Sequence, residues 1–282
     1  MKRYAGLPHR QPDRERHRNM KQLIDGHIHI ERGEYKPEWI QKFVDKAVEM
    51  QLDEIRLLEH NFMFKEFAPM YDSVRAHSGF VDQWFRRCAC RKSYEEYLEL
   101  IDKVREKEYP VKIRFGLEIC YFREYEDLIA GLTKNRGFDF LLGSVHFVDG
   151  FAFDHTAELW EGIDVDRVYQ SYFDLSVSLA ESGLFDGIGH PDTIKLFGHK
   201  PSCPLTDHYE RLAEALSKSN MYADQNSGAY RRCPDTTSPG MEKELLHILK
   251  DHHVRIITSS DAHRLEDVGY MIKELGEIAG CS

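Results

Sequence analysis

Short apolar stretches in this chain repeatedly run into a residue that can bind metal, and that regularity limits what the chain can fold into. Residues 53–60 end on His60, 111–121 pass through Glu118, and 138–146 and 185–190 each end on a histidine, His146 and His190. Residues 220–226 end on Asn226, and 255–260 run straight into Asp261-Ala262-His263. Between them lie segments with helical spacing at 36–50, 94–107, 125–133, 165–182, 205–217 and 240–250, with a terminal helix from about residue 266. β-then-α punctuation repeated without a linker predicts one parallel, barrel-like α/β domain. In such a barrel the carboxyl ends of the strands share one face, where catalytic groups collect. One polar strand end has an ordinary explanation; a series of them does not share one easily.

The series opens at residues 23–30, Leu-Ile-Asp-Gly-His-Ile-His-Ile. Read as an unbroken strand, it puts Ile24, Gly26, Ile28 and Ile30 on one face and Asp25, His27 and His29 on the other. Two imidazoles about 7 Å apart along a strand rising roughly 3.3 Å per residue can converge on one divalent ion. The competing reading is a polar strand end whose histidines are simply hydrogen-bonded.

Composition narrows the partners. A 282-residue chain with 41% hydrophobic and 30% charged residues has the make-up of a soluble globular protein. A net charge of −10 argues against a nucleic-acid duplex or a membrane surface as partner, but a phosphorylated small molecule needs only a local cluster of donors. Residues 1–20 are rich in arginine and lack an apolar run, so they read as a tail or lead-in rather than a secretory signal, with the single domain spanning 21–282. His9 and His17 in that tail read as solvated. Six scattered cysteines without C-x-x-C spacing predict reduced thiols and a cytoplasmic protein. Cys88-Ala89-Cys90, among arginines, reads as surface, and oligomeric assembly is left open.

Imidazoles and carboxylates without thiolates suit Zn²⁺, Mn²⁺ or Fe²⁺ in a hydrolytic site. His27, His29, His60, Glu118, His146, His190, Asp261 and His263 exceed the needs of one tetrahedral ion and would serve two or three, a carboxylate bridging. An amidohydrolase also begins on His-x-His and ends on Asp, yet it bridges its metals through a modified lysine. Here the middle strand offers Glu118 in Gly116-Leu117-Glu118.

The set Asp25-Gly26-His27-Ile28-His29, Leu58-Glu59-His60, Gly116-Leu117-Glu118, Gly143-Ser144-Val145-His146-Phe147, Gly189-His190-Pro191-Asp192 and Ser260-Asp261-Ala262-His263 resembles the PHP (polymerase and histidinol phosphatase) family, in family order from about Leu23 to Gly269. Residues 143–154, 185–197 and 226–231 are similar to its monofunctional histidinol-phosphatase branch. The resemblance implies a distorted seven-stranded (β/α)7 TIM-like barrel holding two to three divalent transition-metal ions (Zn, Mn or Fe). It implies one ion on His27, His29, Glu118 and Asp261, a second bridged by Glu118 to His146 and His190, and a third on His60 and His263. A further ligand for the third ion follows His-x-His in the family; the carboxylates nearby are Glu31 and Glu34, and neither matches the pattern cleanly. Arg231, in Asn226-Ser227-Gly228-Ala229-Tyr230-Arg231, matches a phosphate-contacting arginine, although the glycine has moved and Arg232 leaves the register open. Lys195 and Asn226 are further substrate-binding candidates.

The activity implied is hydrolysis of L-histidinol phosphate to L-histidinol and phosphate in histidine biosynthesis, by metal-activated hydroxide attack on phosphorus, with Glu118, Asp261 and Arg231 as catalytic groups. The alternatives are another PHP phosphoesterase, acting on a different small ester or a nucleic-acid 3′ end, and a non-catalytic metal- or phosphate-binding regulator. Around the site, Asp25 is expected to hold a histidine tautomer, Asp192 to orient His190 or touch substrate, Glu59 to support its strand end, and Cys120 to line the pocket. Phe62-Met63-Phe64 reads as core or lid, and His155, His199, His208, His247, His252 and His253 as surface or core histidines.

Overall fold

The structure is a computed structural model that describes residues 22–280. Among these, seven parallel strands form one sheet in chain order: β1 (Ile24–His29), β2 (Glu54–Leu58), β3 (Lys112–Cys120), β4 (Phe140–Ser144), β5 (Gly187–Ile188), β6 (Tyr222–Asn226) and β7 (Arg255–Ser259). The first strand meets the segment after β7, where His29 N–H donates to the Ala262 carbonyl at 2.8 Å and Thr258 Oγ1 donates to the Ile24 carbonyl at 2.7 Å. The sheet thereby curls into the expected barrel. The expected tail, with its two histidines, lies outside the described residues.

Helices cover the outside: α1 (Pro37–Glu49), α2 (Asp72–His77), α3 (Gly79–Cys88), α4 (Tyr94–Arg105), α5 (Glu126–Thr133), α6 (Val165–Glu181), α7 (Thr206–Lys218), α8 (Gly228–Arg232), α9 (Lys243–Asp251) and α10 (Ile272–Ile278). The long helices carry the apolar stripe that buries them. In α1 it is Ile40, Phe43, Val44 and Ala47, with Pro37 opening the first turn. The two short helices α2 and α3 form, with 3₁₀ turns at Asn61–Met63 and Lys65–Tyr71, an excursion between β2 and α4 that periodicity reads only in part. The terminal helix starts at Ile272 rather than near residue 266, where a 3₁₀ turn (Leu265–Asp267) stands instead.

The first strand departs from strict alternation. Its pairing with β2 slips by one residue between Asp25 and Ile28, the mark of a β-bulge. Ile24 therefore packs inside the barrel against Leu58, Phe140, Leu142, Tyr222 and Ile257, while Ile28 and Ile30 join the outer core under the helices. Gly26 also faces inward: a β-carbon there would stand 2.6 Å from Ile257 Cγ2 and 2.8 Å from Ser259 Oγ. Because Gly26 and His27 are consecutive and face the same way, the bulge lets an apolar strand start end on two inward histidines. The expectation of Ile24 and Ile28 on one face is corrected by that extra residue.

Candidate active site

All eight expected ligand side chains meet at the carboxyl end of the barrel. His27 and His29 arrive on β1, Glu118 on β3, and the other five from the turns that directly follow β2, β4, β5 and β7. Two of them sit on left-handed backbone, His190 at φ 29° and Asp261 at φ 54°, a conformation that costs energy in residues with side chains. Asp261 is also the reason for the displaced glycine in Ser227-Gly228-Ala229. A β-carbon at Gly228 would stand 2.3 Å from Asp261 Oδ2, so the carboxylate fits only over a glycine.

Glu118 is the centre of the arrangement, and its two oxygens face different imidazoles. Oε2 lies 2.8 Å from His60 Nδ1, 3.3 Å from His29 Nε2 and 3.4 Å from His27 Nε2. Oε1 lies 3.1 Å from His190 Nε2 and 3.3 Å from His146 Nε2, and accepts from Ser144 Oγ at 2.6 Å. Asp261 Oδ1 stands 3.7, 3.6 and 3.5 Å from Nε2 of His27, His29 and His263.

The donor atoms test whether the residues fit a metal. His27 Nε2 and His29 Nε2 point at each other at 3.0 Å. With Glu118 Oε2 and Asp261 Oδ1 they form a cluster whose measured edges run from 3.0 to 3.7 Å. Ligands ~2.0–2.2 Å from a tetrahedral ion must stand roughly 3.3–3.6 Å apart, so the cluster has the dimensions of a coordination shell. Donor triplets His29-His60-His263 and His60-Glu118-His146 are comparably close, with atoms within 4.8 Å of one another. The residues fit more than one ion.

Charge in this cluster is mutual. Burial pushes the Glu118 carboxyl up, but imidazoles led by His60 and His27 hold it well below the usual carboxylate range. Burial likewise opposes a charge on His146, and Asp154 and Glu118 overcome it, raising that imidazole to about 10. His29 goes the other way, held down by burial and by the neighbouring imidazoles His263 and His60. A protein with no ion in place must keep protons on some of these rings; a divalent ion takes over that role.

Three of the rings are aimed by carboxylates outside the expected ligand set. Asp224 Oδ2 holds His27 Nδ1 at 2.9 Å, Asp154 Oδ2 holds His146 Nδ1 at 2.7 Å, and Glu31 Oε1 holds His263 Nδ1 at 3.0 Å. Such contacts fix which nitrogen faces the ion. Asp224 shares the face of Asn226 two residues on, a signal that period-two alternation offered. Asp154 and Glu31 lie in loops and carry no local signal. Glu34 is exposed and paired with Lys36.

Several expected roles are corrected. Asp25 holds no imidazole ring: it accepts from the backbone N–H groups of Ser260 and Gly269, and its burial raises the carboxyl to about 6. Lys195 is turned away from the site, its Nζ held by Asp192 Oδ2 at 2.8 Å and the Gly240 carbonyl at 2.7 Å. Asp192 is committed to Lys195 and to the Glu242 N–H rather than to His190. Asn226 is buried, donates to Asp224 and accepts from Gly228 N–H, and so supports the site without reaching substrate. Glu59 is buried against the Tyr35 hydroxyl, beneath the site.

A cavity of about 740 Å³ opens over the cluster. His60, His146, His190, Asp261 and His263 line it at the cluster, with Arg87, Arg231, Arg232 and Arg264 and the rings of Phe62, Phe80, Trp84, Phe147 and His155 around them; Arg232 Nη2 donates to the His155 carbonyl at 2.7 Å, so guanidinium groups and rings adjoin. Arg231 lines it while donating to the carbonyls of Ser260 at 3.0 Å and Asp261 at 2.5 Å, so it also props the turn that carries Asp261. Cys120 lines the cavity as expected, while His155 does so against expectation. No described helix is long and apolar enough to cross a membrane, and Cys88, Cys90, Cys120, Cys203 and Cys233 are unpaired.

Comparison with known proteins agrees with this architecture. The family model described as PHP domain matches residues 25–228. A Deinococcus radiodurans protein named "Probable histidinol-phosphatase" is 27% identical over 193 residues, covering 66% of this chain and 72% of that one. The histidinol-phosphatase of Bacillus subtilis is 25% identical over 276 residues, covering 88% and 96%. The crystal structure of a histidinol phosphate phosphatase from Lactococcus lactis, complexed with zinc, L-histidinol and phosphate, superimposes with a TM-score of 0.58 at 18% identity, covering 90% of this chain and 94% of that one.

Proposed function

The chain belongs to the PHP domain family, and from that premise we propose that it is a metal-dependent phosphomonoesterase hydrolysing L-histidinol phosphate to L-histidinol and phosphate. The observation that carries the reading is the placement of Glu118, one oxygen toward His27, His29 and His60 and the other toward His146 and His190. A carboxylate so placed bridges two ions. In this reading His27, His29, Glu118 and Asp261 would hold one ion, Glu118, His146 and His190 a second, and His60 with His263 a third. The chemistry such ions supply when bound is Lewis-acid charge on the phosphoryl oxygens and an acidified water as nucleophile.

The chain's own residues do the rest. Asp224, Asp154 and Glu31 keep a lone pair of His27, His146 and His263 turned toward the cluster. Ser144 fixes the torsion of Glu118 through Oε1. Arg231 fixes the Asp261 turn, faces Asp267 at 3.8 Å and lines the cavity together with Arg87, Arg232 and Arg264. Guanidinium groups there match the three equatorial oxygens on which transition-state charge lies. The substrate named for the relatives supplies the alcohol, and its ammonium suits a chain of net charge −10. The five described cysteines, all unpaired, support a cytoplasmic setting in this reading.

A turnover screen of phosphomonoesters with Mn²⁺, Zn²⁺ or Fe²⁺ tests the reading. The expected result is fastest hydrolysis of L-histidinol phosphate. Preference for a different ester by about a hundredfold replaces the substrate and leaves the reaction class; turnover unaffected by exhaustive chelation removes both.

A further inference from the structure

One wall of the cavity is built from rings that the proposed chemistry does not use. Trp84 on α3 lies 5.0 Å from Phe62 and 4.9 Å from His155, centroid to centroid, both close to edge-on. Phe147 and Phe80 close the group at 5.5 and 5.9 Å from His155. Phe62 in turn stacks on His60, 4.7 Å away, so the wall begins one ring from the metal cluster. Packing alone would bury these rings. Instead Phe62 and Trp84 are half-buried and Phe80 is 42% exposed, all three on the cavity that opens over the imidazoles and carboxylates. Apolar rings kept accessible beside a polar cluster in a concave site mark the part of it that grips a ligand's flat, apolar end.

Phe62, Phe80 and Trp84 all belong to the excursion between β2 and α4, outside the repeated β/α units. Barrel enzymes take their chemistry from strand ends and vary their substrate through such loops. Behind Trp84, the loop after β4 ties His155 to the cluster through one carboxylate. Asp154 holds His146 through Oδ2 and His155 Nδ1 through Oδ1 at 3.0 Å. His155 is thus fixed as the back of the wall by the residue that aims a metal-facing imidazole.

Resting on the functional reading above, we propose that Trp84 and Phe80, with Phe62 and Phe147, form the subsite for the imidazole ring of the ester's alcohol and so determine specificity for a ring-bearing phosphomonoester. The phosphate then lies between the arginines and the cluster, and the short carbon chain spans from the cluster to the wall. These rings recognise the alcohol and leave the phosphoryl group alone.

The test compares L-histidinol phosphate with O-phosphoethanolamine, an aminoalkyl ester without a ring, in metal-loaded wild type, Trp84→Leu and Phe80→Ser. Competitive inhibition by inorganic phosphate is measured alongside. Trp84→Leu is expected to raise KM for L-histidinol phosphate at least tenfold with kcat within about threefold. It should shrink the preference over the ring-free ester by the same factor and leave phosphate inhibition within twofold of wild type. Phe80→Ser, at an exposed ring whose loss cannot unfold the barrel, should move the same ratio about threefold. Quenching of Trp84 emission by L-histidinol, absent from Trp84→Phe, reads the contact directly. A preserved wild-type preference that neither Trp84→Leu nor Phe80→Ser moves overturns the subsite and leaves the function standing. Phosphate inhibition weakening in step with KM overturns it too, because the rings then serve the whole cavity. A wild type that favours the ring-free ester overturns the functional reading and the subsite together.

Discussion

The two ends of this barrel both bury charge, and they do so in opposite ways. At the amino end, Glu54 is almost fully buried, with Arg56 Nε 2.9 Å, Lys112 Nζ 2.7 Å and Arg114 Nε 3.2 Å from its oxygens. Arg56 itself lies over the rings of Tyr222 and Phe140, 5.0 and 5.5 Å from their centroids. Every charge there has an opposite charge or a π face. At the carboxyl end Glu118 and Asp261 have imidazoles as their ion-pair partners, with the Ser144 hydroxyl also on Glu118, and imidazoles face one another. The amino end is a closed plug. The carboxyl end lacks the positive charge that its geometry calls for. Buried charge alone therefore says little about function; buried carboxylates set among clustered imidazoles say a great deal.

The largest effect separating the two ends is expected from Glu118→Gln. Losing the shared carboxylate charge should cut phosphatase activity by at least about a thousandfold and lower bound metal by one ion or more per chain. Far-UV circular dichroism should stay that of the parent. His27→Ala should behave alike. A metal content unchanged in Glu118→Gln, measured by mass spectrometry of the dialysed protein, would break the contrast between the ends.

Next comes Asp224→Asn, which keeps the shape beside His27 and removes the charge that holds its Nδ1–H. A loss of roughly 10- to 100-fold in metal affinity or activity is expected for such a partner. Titration of the apoprotein with Zn²⁺ checks it. The amino end supplies the control. Arg56→Met leaves Glu54 with two of its three cations, so it should cost about 2 kcal/mol, less than the roughly 3–5 kcal/mol of breaking an isolated buried pair. Metal content and kcat should stay at parental values. Thermal unfolding and metal analysis of the same sample decide it.

The contrast also explains what could be read from the chain and what could not. The ligands were legible because a strand end is a local event: His60, Glu118, His146, His190, Asp261 and His263 each terminate an apolar run that period-two alternation exposes. The direction of His27 was right for a reason that alternation does not contain, since the bulge after Asp25 reverses the faces within β1. Alternation places Asp224 inward and Glu31 follows His-x-His, but which ring each carboxylate holds was not legible. Asp224 meets His27 across 197 residues and Glu31 meets His263 across 232, distances over which a sequence pattern carries nothing. Lys195 looked like a phosphate ligand because it follows Gly-His-Pro-Asp closely, yet a 3₁₀ turn at Thr193–Lys195 and the Asp192 carboxylate draw it elsewhere.

The smallest effect concerns the metal-free protein, where Glu31 and His263 must balance one another without an ion. Burial pushes the Glu31 carboxyl up, but the bond to His263 and the neighbouring imidazoles bring it down to about 2, from 4.5. Burial opposes the His263 charge, and Asp261 and Glu31 raise that imidazole to about 9, from 6.5. A lowered carboxyl stabilises the fold above about pH 4.5 and loses that contribution as pH falls through about 2. A raised imidazole stabilises it below 6.5 and loses the contribution as pH rises through about 9. In chelator, the melting temperature should therefore decline across pH 6.5 to 9, and by less in Glu31→Gln, where His263 keeps only Asp261. Because His263 is about a third exposed, solvent screening keeps the shift to a few degrees. Saturating Zn²⁺ should flatten the profile of the parent, since an ion on His263 replaces the proton that the ring otherwise holds. A parent profile equally steep with and without Zn²⁺ would place His263 outside the metal set and leave the other seven residues to hold the ions.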